Sequence, residues 1–187
     1  MKSPFCFVVT PLHNKRYDNI KKLDNSSLIL SSTKEDHTVS NRFAKVVSTP
    51  INYSGPVKKD DIILVHHNVF KLYYDMKGRE KSSRSFLKDN EFLIEDNQWY
   101  AYKKNNKWHS NEDYCFIKPS KKEDSVIFNN ETYQPLTGTI AIGNQILEKV
   151  GVYKGDKVCF KPDSEYEFII DEEKLYRMRC KNITIKL

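Results

Sequence analysis

The 187-residue chain repeats itself, and this constrains its fold more than any other feature of the sequence. "RFAKVVS", Arg42 to Ser48, lies on "TGTIAIG", Thr137 to Gly143. Continued without a gap, the alignment lays "KKDDIILVHH" from Lys58 on "YKGDKVCFKP" from Tyr153, so that Asp61 meets Asp156 and Ile62–Val65 meets Lys157–Phe160. "FLIEDNQWYAYK" from Phe92 resembles "FIIDEEKLYRMR" from Phe168, and the units open alike, with "FCFVVTP" at Phe5 and "YCFIKP" at Tyr114. Identity is low, but the matching segments keep their order, as a tandem duplication requires. The division is expected in the polar stretch "KKNNKWHSNED", Lys103 to Asp113, giving domains at 1–104 and 113–187.

Each unit reads as strands. "RFAKVVS" and "TGTIAIG" alternate outward and inward residues, "DIILV" and "DKVCF" are apolar runs launched from an acidic turn, and "QWYAYK" and "NITIKL" have period two. The best helical candidate, "GNQILEKVG", is short and bounded by Gly143 and Gly151. Short strands separated by turn residues predict an all-β chain of two small tandem β-barrels. The "FCFVV" and "ITIKL" strands are expected at edges, open to pairing with neighbouring copies.

Several function classes are excluded at this stage. A net charge of +6 permits weak attraction to polyanions without identifying a partner. No run of apolar residues is long enough to span a membrane, and "MKSPFCFVVTPLHNK" has too short an apolar stretch for a secretory signal, so a soluble, unexported, cytoplasmic protein is expected. The four cysteines include no CxxC and are expected as small buried hydrophobes rather than disulfides or zinc ligands. His66 and His67 are neighbours, which in a strand point to opposite faces and cannot share a metal. No nucleophile, base and orienting group recur with usable spacing, so no enzyme, cofactor or metal site is expected. "GDK" at Gly155 is a turn rather than a phosphate loop. Trp99, Tyr100, Tyr102 and Trp108 are expected to pack in cores and interfaces.

The units differ in two places. The interval from Pro11 to Arg42 is longer than that from Pro119 to Thr137, and the surplus falls on "NSSLILSS". Leu28, Ile29 and Leu30 therefore belong to a loop, about residues 19–41, present in the first unit only. The second surplus follows Val65 as an insert at about 70–90, with Lys71, Lys77, Arg79, Lys81, Arg84 and Lys88 around Gly78. It reads as a solvated basic excursion.

The order "VVTPLHNK", an apolar triplet in a loop, "AKVVS", "VKKDDIILV" and "FLIEDNQWYAY" resembles the chaperonin-10 (GroES-type) co-chaperonins, as do "TGTIAIGN", "VYKGDKVCF" and the closing "YEFIIDEEKLYRMRCKNITIKL". The resemblance covers nearly all of both units, without the linker and the basic insert. It implies two tandem GroES-like barrels, a mobile loop whose triplet Leu28, Ile29 and Leu30 docks on a GroEL-type chaperonin ring, and a ring-shaped homo-oligomer, with a heptamer as one candidate size. The implied function is a lid that caps the cylinder and assists ATP-dependent protein folding, the nucleotide chemistry belonging to the partner. Ser26 and Ser27 stand where the family usually has glycines, and the roof segments "STPINYSGPVKK" and "GNQILEKVGVYK" are short. The reduced roofs are similar to those of phage-encoded members, which would place the protein in a host cytoplasm. The double barrel is similar to the fused co-chaperonins of chloroplasts.

Two other readings remain open from sequence: a tandem β-barrel module binding single-stranded nucleic acid through basic grooves and residues such as Trp99 and Tyr102, and a structural or assembly protein of a virion. On the favoured reading neither a membrane nor a nucleic acid is a partner.

Overall fold

The computed structural model describes residues 2–17, 20–23, 26–29, 40–121 and 133–187. The chain divides into two compact units, Met1–Asn106 and Lys107–Leu187. The first contains β1 (Phe7–Pro11), β2 (Ile20–Leu23), β3 (Ser26–Ile29), β4 (Phe43–Ser48), β5 (Ile62–Val65), β6 (Leu72–Tyr74), β7 (Glu80–Ser82), β8 (Phe86–Lys88), β9 (Glu91–Ile94) and β10 (Trp99–Lys104). Six of these form an antiparallel sheet in the order β10-β5-β4-β1-β9-β8, and β2–β3 and β6–β7 are separate hairpins. The second unit contains β11 (Lys107–Ser110), β12 (Tyr114–Lys121), β13 (Tyr133–Ile142), the helix α1 (Gln145–Lys149), β14 (Lys157–Phe160), β15 (Tyr166–Ile170), β16 (Glu173–Arg179) and β17 (Ile183–Lys186). Its sheet has the order β15-β16-β12-β13-β14-β17.

The two sheets share one plan. Numbered by appearance within each sheet, both read sixth, third, second, first, fifth, fourth. Val9 on β1 faces Val46 on β4 and Phe92 on β9, as Ile117 on β12 faces Ile140 on β13 and Tyr176 on β16. The registers correct the sequence alignment twice. Val46 takes the place of Ile140, one residue away from the ungapped match with Ala141, while the segment from Lys58 matches as aligned. A one-residue slip in a strand exchanges core and solvent faces, and buried Ala44 and Val46 do coincide with buried Gly138 and Ile140. Phe92 takes the place of Tyr176 rather than Phe168. The short 3-10 turns Asp96–Gln98 and Cys180–Asn182 then coincide, followed by β10 and β17. The earlier match arose because an apolar strand followed by an acidic turn occurs at both Phe92 and Phe168.

An aspartate turn joins the second and third strands of each sheet. In the first, Asp61 Oδ2 accepts from Lys58 N at 2.7 Å; in the second, Asp156 Oδ2 accepts from Tyr153 N at 2.8 Å. The residue before each aspartate is left-handed, Asp60 at φ 71 and Gly155 at φ 95, and its N–H closes on Val46 O or Ile140 O. Surface ion pairs flank both turns, Lys45 with Asp60 at 2.8 Å and Lys186 with Asp156 at 2.6 Å.

One face of each sheet feeds a single core. Phe7, Val9, Ala44, Val46, Ile63, Val65, Phe92, Ile94 and Trp99 form the first, with Phe70 edge-on to Phe92 at 4.8 Å. The roof segments turn inward: Val57 and Tyr53 pack on the first core, as Val152 and Leu147 pack on the second. Helix α1 is capped by Asn144, whose side chain accepts from Leu147 N and donates to Glu112 O and Tyr114 O.

The all-β organisation stands as expected, and three expectations are corrected. Among the described residues neither sheet closes into a barrel by hydrogen bonding, since the strands at the two ends of each order are not paired with each other; the three-residue β8, bulged between Phe86 and Lys88, offers little ladder for closure. β1 is central rather than an edge, because "FCFVV" is flanked by β4 and β9, whereas "ITIKL" does form the edge strand β17. The insert combines two elements: the hairpin β6–β7, which has no counterpart, and β8, the counterpart of β15.

The hydrogen bond from Lys186, and next that from Tyr153 N, hold the Asp156 carboxyl below the usual carboxylate range. A folded-state pKa below the unfolded one contributes stability that is complete above the unfolded value and is lost as pH falls through the folded one. Asp156→Asn therefore lowers the urea midpoint at pH 7, and its difference from the parent shrinks below about pH 4. A difference that is constant down to pH 2 would contradict this assignment.

Candidate docking loop and its stem

After β1 the chain leaves the sheet through Leu12–Asn14, with His13 and Asn14 left-handed at φ 57 and φ 58. It returns at Ser40, which is bridged to Tyr17. Asn41 fastens the exit to the return: its N–H donates to Arg16 O at 2.9 Å, and its side-chain amide donates to Leu12 O at 3.1 Å and Lys15 O at 2.7 Å. Its Oδ1 accepts from Phe43 N, which starts β4. The Ser40 hydroxyl donates to His67 O at 2.9 Å.

The second unit has no insert, and in the first the insert braces this stem. Arg16 donates through Nη1 to Ser82 Oγ at 2.9 Å and through Nε to Asn90 Oδ1 at 3.0 Å. Its guanidinium lies 5.0 Å from the Phe86 ring centre and 4.9 Å from that of Phe92. Burial lowers its pKa, with Tyr17 and Glu80 opposing, and it remains charged at neutral pH. Leu72 N donates to Tyr17 Oη at 2.7 Å, and Asn90 Nδ2 donates to Asn14 O at 3.2 Å. Partly buried hydrogen bonds from a charged donor that lies over two rings make Arg16 the centre of this clamp.

Beyond the stem lies the hairpin β2–β3, with Ile20 opposite Ile29 and Lys21 opposite Leu28. Leu28 and Ile29 thus begin the expected triplet on a strand, and Leu30 lies outside the described residues. In the second unit the connection between β12 and β13 runs through 122–132, also outside the described residues. The shared strand order puts it in the same topological place as the loop of the first unit. Its sequence, "EDSVIFNN", carries Val126, Ile127 and Phe128 behind a serine, as "NSSLILSS" carries its own triplet.

The remaining candidates are placed as follows. Trp99 and Tyr100 are buried, and Tyr102 packs on the first core. Trp108 donates Nε1–H to Asp171 Oδ2 at 3.1 Å. His66 and His67 do not diverge: their rings lie 4.1 Å apart, because the chain has left β5 for a turn, where strand alternation no longer applies. Among the described residues no three His, Cys, Asp or Glu side chains gather to hold a metal, and no helix is long and apolar enough to cross a membrane. The cysteines are free, with Cys115 and Cys180 in the second core and Cys6 and Cys159 half-buried. The Cys115 thiol is pushed up, first by its hydrogen-bonding contact with Cys180 and then by burial.

No model of a known protein family matches the chain, and no curated protein matches it.

Arg16→Met keeps the bulk of the side chain and removes its donors. It is expected to cost roughly 1.5–3 kcal/mol in urea denaturation and to speed amide exchange at Leu72 and Asn41. Unchanged stability and unchanged exchange at both amides would show that the clamp does not hold the stem.

Proposed function

We propose that the protein is a co-chaperonin, a non-enzymatic lid of chaperonin-10 type built from two tandem units of one strand plan, that caps a chaperonin ring and encloses a folding client. The observation that carries this reading is an apolar triplet in a connection whose ends are stitched together on a sheet of fixed register.

Fully burying an aliphatic side chain is worth roughly 1.5–3 kcal/mol, so Leu28, Ile29 and Leu30 offer about 5–9 kcal/mol gross. Association costs about 4–15 kcal/mol before side chains are ordered. A single copy grips weakly. A ring of identical copies facing a ring of identical grooves makes later contacts intramolecular and raises avidity about 10²–10⁴-fold. Weak individual contacts also allow release when the partner changes shape. The exposed edge strand β17, with Ile185 and Leu187 open to solvent, suits pairing between copies in such a ring. This reading assigns no catalytic residue and no cofactor, and it places the protein in the cytoplasm where chaperonins work.

Against the alternative of single-stranded nucleic acid bound through Trp99 and Tyr102 stand the burial of Trp99 in the first core and the packing of the partly buried Tyr102 against it.

Mixing the protein with a bacterial chaperonin and ATP, then imaging by electron microscopy, is expected to show capped cylinders. Ile29→Asp should remain folded by circular dichroism and fail to cap. Capping by that variant at the parent's level would overturn the docking assignment.

A further inference from the structure

The charge of the chain is segregated. Residues 1–106 carry 18 basic and 12 acidic side chains, whereas residues 107–187 carry 13 of each, so the whole net charge of +6 belongs to the first unit. Half of that excess lies between Lys71 and Asn90, where six basic residues face Asp75, Glu80 and Asp89.

The hairpin β6–β7 presents this charge in a fixed arrangement. Leu72 pairs with Ser82, Tyr73 with Lys81 and Tyr74 with Glu80. At the tip Asp75 Oδ1 accepts from both Lys77 N and Arg79 N at 2.9 Å, Asp75 O accepts from Gly78 N, and Gly78 is left-handed at φ 71. The base is tied down by Leu72 N to Tyr17 Oη and by Arg16 to Ser82. Side chains two residues apart share a face, so Tyr73 and Lys81 lie on one face with Lys71 and Arg79. The opposite face holds Leu72 and Ser82, the latter turned toward Arg16. The face of Tyr73 therefore holds one exposed aromatic ring among three cations, with the Asp75 carboxylate on the same side turned to the tip amides of Lys77 and Arg79, and with Lys77 and a fully exposed Met76 at the tip.

We propose that this face of β6–β7 binds single-stranded nucleic acid, with Tyr73 stacking on a base and Lys71, Lys77, Arg79 and Lys81 contacting phosphates. The composition favours this partner over a membrane. One methionine and two half-exposed tyrosines give little apolar area to insert into lipid, whereas a tyrosine flanked by cations meets the two needs of sequence-tolerant strand binding: a stacking platform and a positive track. The site is independent of the docking triplet, and it differs from the solvated-face reading of the insert because the ring and the cations share one side of a braced ribbon.

The test is fluorescence anisotropy with labelled fifteen-nucleotide oligo-dT and oligo-U against the full chain at 25 to 200 mM NaCl. Binding is expected to weaken with salt along a log–log slope of about −2 to −3, since each phosphate contact on a single strand contributes about 0.7. Tyr73→Ala should weaken binding at least fivefold, and Arg79→Gln with Lys81→Gln should also reduce the slope by about 1.4. Lys58→Gln with Lys59→Gln, also exposed but remote in sequence from the hairpin, should leave both quantities unchanged. No binding at 25 mM salt, equal losses in the Lys58 and Lys59 control, or binding to phosphatidylserine vesicles without binding to either oligonucleotide would overturn the proposal.

Discussion

Asp61 and Asp156 set the register on which each unit depends. Each carboxylate captures an amide three residues upstream, the left-handed residue before it reverses the chain, and that residue's N–H closes on the preceding strand. With β4 fixed against β5, Ala44 and Val46 turn inward with Ile63 and Val65; with β13 fixed against β14, Gly138 and Ile140 do so with Val158. A slip of one residue would expose all of these and bury Lys45, Lys157 and their neighbours. The same turns determine where the roof segments re-enter, which brings Val57 and Val152 onto their cores.

The duplication was legible in the sequence because this turn carries its own signal in both units, an aspartate that opens the third strand of the sheet, Asp61 before Ile62–Val65 and Asp156 before Lys157–Phe160. The match of Phe92 with Phe168 failed because its pattern, an apolar strand followed by acidic residues, sits on β15 in the second unit, and only the long-range pairing of β16 with β12 identifies β16 as the counterpart of β9. The central place of β1 was hidden for a similar reason: whether a strand is an edge depends on partners distant in sequence. His66 and His67 were misjudged because strand periodicity was carried two residues past the end of β5.

The candidate site was legible in part. Leu28 to Leu30 stood out as an apolar run in polar surroundings, and the length difference placed them in a connection. The clamp could not be read, since Arg16, Asn41 and Asn90 act through hydrogen bonds to residues far along the chain and their types have no distinctive pattern. The insert first looked like excess charge at the surface. Its geometry gives it two jobs in the folded unit: one face braces the stem through Ser82, Leu72 and Asn90, and the other presents Tyr73 among cations. The second unit, with equal numbers of basic and acidic residues, has no counterpart of the hairpin β6–β7 among its described residues.

The central claim is that a weakly gripping apolar segment becomes effective through symmetric repetition. Native mass spectrometry of the protein alone, and of its mixture with a bacterial chaperonin and ATP, tests this most directly. The account predicts a closed homo-oligomer at micromolar concentration and a complex carrying one such oligomer per capped end. A chain that remains monomeric at every concentration and adds no mass to the chaperonin would contradict it.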